Sequence, residues 1–440
     1  MTIDAPGTRP ALCRVVAAEA AKFSASYWGR APLVSRAAEL ARSGPGTSGP
    51  VTSAPVTSAP VTSGPGTSVP GASGFTDLLS PAAVDELLSR RGLRTPFLRV
   101  AQQGKVLPAA QFTGSGGAGA EIGDQVVDDK ILRLYADGAT LVLQGLHRLW
   151  PPLIDYARRL GAELRRPLQV NAYLTPPGSR GFSTHYDTHD VFVLQVEGTK
   201  HWRIHEPVLP DPIEQQAWGG RADEVAATAE GEPAVDVILA PGDALYLPRG
   251  WLHSAEAQGS RSLHLTIGIR SLTRYALVEE LLTMAARETR LRATLPYGLD
   301  PADPDAIEPE LTETVEALRD WLTTTDPADV AARLRDRVWP ATRPEPIAPL
   351  AQLDFAERLT PDSEIVVRDG LRWRLVDDGT DDVVLCLVGR TLRFPAYCEP
   401  AVRIALTGDP QRVGDLPLDD DGDRLVLARR LLREGLVVPG

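Results

Sequence analysis

Two histidines and an aspartate carry the most specific chemistry in this sequence. In Thr184-His185-Tyr186-Asp187, His185 and Asp187 stand two residues apart, so on a β-strand both side chains leave the same face. His253 follows on a later strand, after a Pro241-Gly242-Asp243 turn and the apolar run Ala244-Leu245-Tyr246-Leu247. Two imidazoles and one carboxylate on one side of a metal leave the opposite positions open, the arrangement of non-haem Fe(II) oxygenases. A lone His-x-Asp occurs by chance in many chains, and His253 alone could be a surface loop residue. The run from Gly242 through Pro248 and Gly250 to His253 is more specific, because a Pro-x-Gly bend aims the histidine inward. The same ligands could hold zinc or manganese, so an enzyme using its metal as a Lewis acid stays open here.

A ferrous ion held by three such ligands stays net positive and suits an anionic co-substrate such as 2-oxoglutarate, whose far carboxylate needs a cation. Lys200 is the candidate, read as the exit of a Glu197-Gly198-Thr199-Lys200 hairpin; the plain alternative is a solvated turn lysine. His189 shares strand parity with Asp187 and could replace a ligand. His201 and His205 follow the hairpin, His264 lines the cavity or packs, and the remote His147 has no assigned role.

The elements that must position these residues follow from pattern. Short strands with Gly and Pro turns run from Phe97 to about Ile269, among them Ala139–Gln144, Leu168–Leu174, Val191–Val196, His201–His205 and Leu263–Ile267; this predicts a sandwich or barrel. Ser80-Pro81 ahead of Ala-Ala-Val-Asp85-Glu86 reads as a capped helix start. Leu272–Leu295, Leu311–Leu322 and Ala328–Val338 have helical period, and Pro340–Pro349 marks a boundary. A strand pair near 371–375 and 383–387, with helices near 400–407 and 423–434, fits a small α+β module of winged-helix type. Its aspartate clusters, Asp377-Asp378, Asp381-Asp382 and Asp419-Asp420-Asp421, favour a protein contact or a structural role over duplex recognition. A small-molecule sensor coupling the barrel to this module is the non-enzymatic alternative. Prolines 45, 50, 55, 60, 65 and 70 recur every five residues amid Thr, Ser, Gly and Ala, so residues 43–74 read as a disordered insertion.

The 440 residues are 43% hydrophobic and 24% charged, which suits a soluble globular chain of two or three domains. No apolar run is long enough to span a bilayer, and residues 1–23 lack the basic head and apolar core of a secretory signal. Cys13, Cys386 and Cys398 are scattered, so a reduced cytoplasmic protein is expected. The net charge of -12 argues against indiscriminate nucleic-acid binding.

Three stretches carry a family resemblance: Asn171-Ala-Tyr173-Leu-Thr-Pro-Pro-Gly178; Gly181 to Asp187 and Phe192 to Arg203; and Pro241 to His253 with Ser262 to Thr266. Gly242, Pro248, Gly250 and His253 match the second cupin motif, and the whole resembles the JmjC family of Fe(II)/2-oxoglutarate oxygenases, most closely its ribosomal oxygenase branch. The resemblance implies a mainly β core, a double-stranded β-helix with α+β additions. It implies an entry segment at 1–42, a catalytic domain at 75–270, a helical dimerisation region at 271–345 and a winged-helix-like domain at 346–440. By the same resemblance, His185, Asp187 and His253 bind iron, while Lys200 takes the far carboxylate of 2-oxoglutarate with Asn171 and Tyr173 assisting. The implied activity is O2-dependent hydroxylation of a ribosomal-protein side chain by a homodimer. The lysine at 200 tilts the target toward histidine over arginine. One departure stands out: Gly268 occupies a position where such proteins often carry a co-substrate-holding serine.

Overall fold

A computed structural model describes residues 10–42, 74–179, 182–377, 379 and 381–440. The proline-repeat insertion read at 43–74 lies, apart from Gly74, outside the described residues. The chain divides into two compact units, the first ending at Ser271 and the second running from Leu272 to Gly440.

The strands of the first unit are β1 (Leu33–Ser35), β2 (Leu98–Gln102), β3 (Lys105–Val106), β4 (Thr113–Gly114), β5 (Gln125–Val126), β6 (Thr140–Leu143), β7 (Leu168–Thr175), β8 (Asp190–His205), β9 (Val235–Leu239), β10 (Ala244–Leu247) and β11 (Leu252–Ile269). All but the small β4–β5 pair join one sheet, in the order β1-β10-β8-β11-β7-β6-β2-β3, with β9 on β8. Every pairing is antiparallel. Period-two alternation divides the faces. On β7, Val170, Ala172 and Leu174 enter the main core, while Gln169, Asn171 and Tyr173 face a cavity. On the far half of β11, Leu263, Leu265, Ile267 and Ile269 enter that core, while His264, Thr266 and Gly268 face the cavity.

One expectation is overturned. Residues 197–200 are not a hairpin: β8 is a single strand of 16 residues. Gly198 adopts φ +65°, and a Cβ there would run into the Arg261 carbonyl. The β8–β11 register shifts between Gln258 and Leu263, so glycine marks a bulge within a long bent strand. The bulge reverses parity. Val191 and Val193 face the cavity before it, Lys200 and Trp202 after it. On β11 the cavity-facing set likewise passes from His253 and Ala255 to His264 and Thr266. A one-residue offset exchanges the two faces of a strand, and this offset turns Lys200 inward.

Helices clad the sheet. Ser80 caps Pro81–Arg90, its Oγ accepting from the Ala83 N–H at 3.2 Å. Pro151–Leu164 starts on proline and buries Leu153, Tyr156, Ala157 and Leu160, the larger of these side chains contributing about 2 kcal/mol each through burial. In the N-terminal segment, Phe23 packs edge-on against Tyr246 at 5.0 Å and Trp28 stacks on that ring at 6.0 Å.

The second unit opens with helices Arg274–Ala285, Pro304–Thr324 and Pro327–Val338, the first and third joined by Arg333–Glu280 (2.8 Å) and Arg337–Glu279 (2.7 Å). It continues with helix Pro349–Glu357, a three-stranded sheet centred on Glu364–Val367, and a meander of Trp373–Asp377, Asp382–Leu387 and Arg390–Pro395. Helices Glu399–Ala405 and Asp421–Arg433 complete it, around a separate core that includes Ile365, Leu385, Phe394, Val402 and Leu431. Among the described residues, no helix is long and apolar enough to cross a membrane.

Candidate active site

His185, Asp187 and His253 converge: one donor atom from each lies within 4.8 Å of the others. The route differs from the expected strand. His185 makes only an isolated bridge with His253, its N–H donating to the His253 carbonyl at 3.2 Å and its carbonyl accepting from the His253 N–H at 2.8 Å. Asp187 lies in extended chain before β8, its carbonyl accepting from the Gly250 N–H at 3.0 Å. The ladder stops there because the facing chain bends at Pro248–Gly250. Gly250 has φ +86°, and a Cβ would stand 2.8 Å from both the Leu209 carbonyl oxygen and Pro212 Cδ, so the bend requires glycine. Buried Asp190 ties this bend to the start of β8, accepting from the Arg249 N–H at 2.9 Å and the Tyr246 hydroxyl at 3.0 Å.

Each histidine has its Nδ1 against a carbonyl: His185 on Ser183 at 2.7 Å, His253 on Trp251 at 3.1 Å. Donation from Nδ1 fixes the tautomer and leaves Nε2 as a lone-pair donor, the usual support of a metal-binding imidazole. Burial, with His185 beside it, pushes His253 down to about 4 against the pull of Asp187, so its ring is neutral at pH 7. Burial works against the Asp187 charge, yet the imidazoles of His253, His189 and His185 together hold it below the usual carboxylate range. A neutral His253 and an ionised Asp187 are the protonation states a divalent cation needs.

The three donors open on a cavity of about 190 Å³ that also takes in Asn171, Tyr173, Lys200 and His264. Lys200 is 3% exposed. Its Nζ donates to Thr175 Oγ1 at 3.2 Å, and among the described residues it has no ion pair. Burial pulls its ammonium down to about 7. Trp202 Nε1 and His264 Nδ1 are buried without hydrogen-bond partners among the described residues. Tyr173 stacks on His264 at 4.9 Å with ring planes 6° apart, and burial, then the Asp187 charge, raises its hydroxyl to about 12. Asn171 holds the cavity wall to the neighbouring turn, its Oδ1 accepting from the Gly145 N–H at 3.2 Å. A buried amine and two ring nitrogens unpartnered among the described residues thus line one space, and buried polar groups of this kind call for a hydrogen-bonding ligand.

All six residues singled out in the sequence line this cavity. Arg99, Thr175 and Trp202 belong to the site's surroundings and were not foreseen. Arg99 is reached only through register: Arg99 pairs with Val142, Val142 with Tyr173, and Tyr173 with His264, so alternation brings its side chain to the rim. Of the other histidines, His201 pairs with Asp236, His205 ends β8, and His147 Nδ1 accepts from the Val170 N–H at 3.1 Å.

The sequence profile of the JmjC domain matches residues 154–277, a span holding the three donors and Lys200. That stretch is similar to a JmjC domain. Over 137 residues the chain is 43% identical to a Drosophila persimilis protein named bifunctional lysine-specific demethylase and histidyl-hydroxylase NO66, covering 30% of this chain and 19% of the relative. It is 30% identical over 349 residues to ribosomal oxygenase 1 of Rattus norvegicus, covering 69% and 58%. The chain therefore spans less than two thirds of these relatives. Among solved structures it is similar to YcfD, a ribosomal oxygenase from Escherichia coli in complex with cobalt and 2-oxoglutarate, with 18% identity, a TM-score of 0.45 and coverage of 95% and 97%. The matched span includes β7, β8, β9, β10 and β11 of the antiparallel sheet, so the JmjC match falls on the β core, with helical and α/β additions around it.

Proposed function

We propose that this protein is an Fe(II)- and 2-oxoglutarate-dependent oxygenase that hydroxylates a side chain of a ribosomal protein. The observation that carries the reading is one cavity that gathers the donor atoms of His185, Asp187 and His253 and a buried lysine that, among the described residues, has no carboxylate partner. The triad would hold iron. Lys200 would bind the far carboxylate of 2-oxoglutarate, with Asn171 and Tyr173 lining the same pocket. Bound iron, with O2 and 2-oxoglutarate, supplies the oxidising power for C–H hydroxylation and leaves succinate and CO2. The chain's own residues orient the groups. Nδ1 bonds aim both imidazoles, Asp190 fixes the bend that carries His253, and the stacked Tyr173–His264 pair closes one wall against water. The histidyl-hydroxylase name of one relative, together with Lys200, favours a histidine target over arginine.

The test is succinate release from purified protein supplied with Fe(II), ascorbate, 2-oxoglutarate and ribosomal proteins, read beside a one-oxygen mass increment on one of them. Succinate without an increment on any ribosomal protein would remove the substrate assignment. Release at the wild-type rate by Asp187→Ala would remove the oxygenase assignment.

The reading extends to assembly and placement. Helices Arg274–Ala285 and Pro304–Thr324 expose Val278, Leu282, Leu311 and Val315, apolar area suited to a second copy of the chain, so a homodimer through residues 271–345 is proposed, in the cytoplasm. Residues 346–440 are read as a winged-helix-like module for protein contact.

A further inference from the structure

Gly268 lies inside β11, paired with Gln169 on one side and Val191 on the other. Glycine in a doubly paired strand gives up packing and backbone entropy, so it marks a close approach. The backbone does not call for it, because its φ is outside the left-handed range. A neighbour does: a Cβ at 268 would stand 2.7 Å from both Cδ2 and Nε2 of His189. The imidazole edge of His189 thus rests on the Gly268 backbone, on the face of β11 that turns His264 and Thr266 into the cavity. His189 lines that cavity with the triad and Lys200. It stands outside the three-donor group, and among the described residues no hydrogen bond reaches its ring. A glycine with no backbone reason, and a polar ring set in the space it vacates, together form a built contact.

We propose that His189, seated on Gly268, is a co-substrate-binding residue that hydrogen-bonds a carboxylate oxygen of 2-oxoglutarate. The inference rests on the oxygenase reading and adds a contact to it. Its test is calorimetric titration of Mn(II)-loaded, full-length protein with 2-oxoglutarate, alongside titration of the metal itself. His189→Phe keeps a ring against Gly268 without a polar atom. It is expected to raise the 2-oxoglutarate Kd about tenfold or more, as loss of a hydrogen bond to a charged group does, with the Mn(II) Kd unchanged within about threefold. His189→Asn retains a polar tip and stays nearer the wild-type Kd, which keeps the test open if the phenylalanine variant folds poorly. Gly268→Ala places a methyl group 2.7 Å from the His189 ring, displaces it without adding a polar atom, and weakens 2-oxoglutarate binding. Wild-type 2-oxoglutarate affinity in His189→Phe, or in Gly268→Ala, overturns the proposal and leaves the oxygenase reading standing. Failure of the Mn(II)-loaded wild type to bind 2-oxoglutarate overturns both.

Discussion

Replacing Lys200 by methionine should strengthen the empty protein while crippling co-substrate binding. Burial takes the Lys200 ammonium from 10.5 down to about 7. At pH 7 the unfolded chain holds that proton far more readily than the folded one, so the lysine costs the metal-free fold about 4 kcal/mol. Methionine fills similar space without the charge. Thr175 loses its Nζ donor but keeps the Thr140 hydroxyl at 3.3 Å, so the net gain is about 2–4 kcal/mol. In thermal melts of metal-free protein, the transition of the catalytic unit should rise by about 5–10 °C. The sign of the pH dependence follows. The penalty is full below pH 7, shrinks as pH rises toward 10.5 because only the unfolded chain stays protonated, and is gone above that. The gap between variant and wild type therefore closes on the alkaline side. Binding moves the opposite way. Leaving the far carboxylate of 2-oxoglutarate buried without its cation costs about 3–5 kcal/mol, a loss of at least about a hundredfold in affinity. At pH 8 the wild type should take up close to one proton per 2-oxoglutarate bound, read from calorimetry in buffers of different ionisation enthalpy, whereas the variant takes up none. His264 and Tyr173 face the same space, so the metal and pH are held fixed between the two proteins. A methionine variant that melts lower than wild type at pH 7, or binds 2-oxoglutarate equally well, would refute this reasoning.

Other consequences are simpler to read. Asp187→Ala removes the anionic ligand and should weaken Mn(II) binding by a hundredfold or more, about 3 kcal/mol, measured by paramagnetic resonance of free Mn(II). Gly250→Ala forces a methyl group to within 2.8 Å of the Leu209 carbonyl at φ +86° and should destabilise the first unit by about 1–3 kcal/mol in urea titration. Asp190→Ala strands the Arg249 N–H and the Tyr246 hydroxyl; a stability loss of about 2–4 kcal/mol is expected, with weaker Mn(II) binding because the bend before His253 loosens. Leu282→Glu together with Leu311→Glu should convert a dimer to a monomer in sedimentation velocity, and an unchanged dimer would place the interface elsewhere.

Local signals in the sequence were faithful where the chain obeys a regular period. The alternation of Gln169, Asn171 and Tyr173 against Val170, Ala172 and Leu174 already divides β7 into cavity and core faces. The Gly242-to-His253 run encodes a turn, a strand and a bend whose chemistry is local, so His253 could be aimed from sequence. The chain misleads where one residue breaks the period. Gly198 sits between polar neighbours and reads as a turn, because a bulge and a turn both need positive φ there; only the pairing of β8 with β11 across it distinguishes them. That ambiguity left Lys200 between a solvated turn and a buried site. His185 and Asp187 reach the three-donor cluster from chain that lies outside any regular strand, since their pairing partner bends away at Pro248. Arg99 had no sequence signal at all, because its place depends on register carried across three strands. Gly268 was visible as an oddity, and its cause, the His189 ring, is a contact between residues far apart in sequence.

The central claim is that His185, Asp187 and His253 hold ferrous iron beside a 2-oxoglutarate pocket. Anaerobic titration of the Fe(II)-loaded protein with 2-oxoglutarate, followed in the visible region, tests it most directly. A weak charge-transfer band should grow to saturation at one co-substrate per chain and be missing from Asp187→Ala and His253→Ala. A full-strength band in those variants, or none in the wild type at saturating iron and 2-oxoglutarate, would contradict the account.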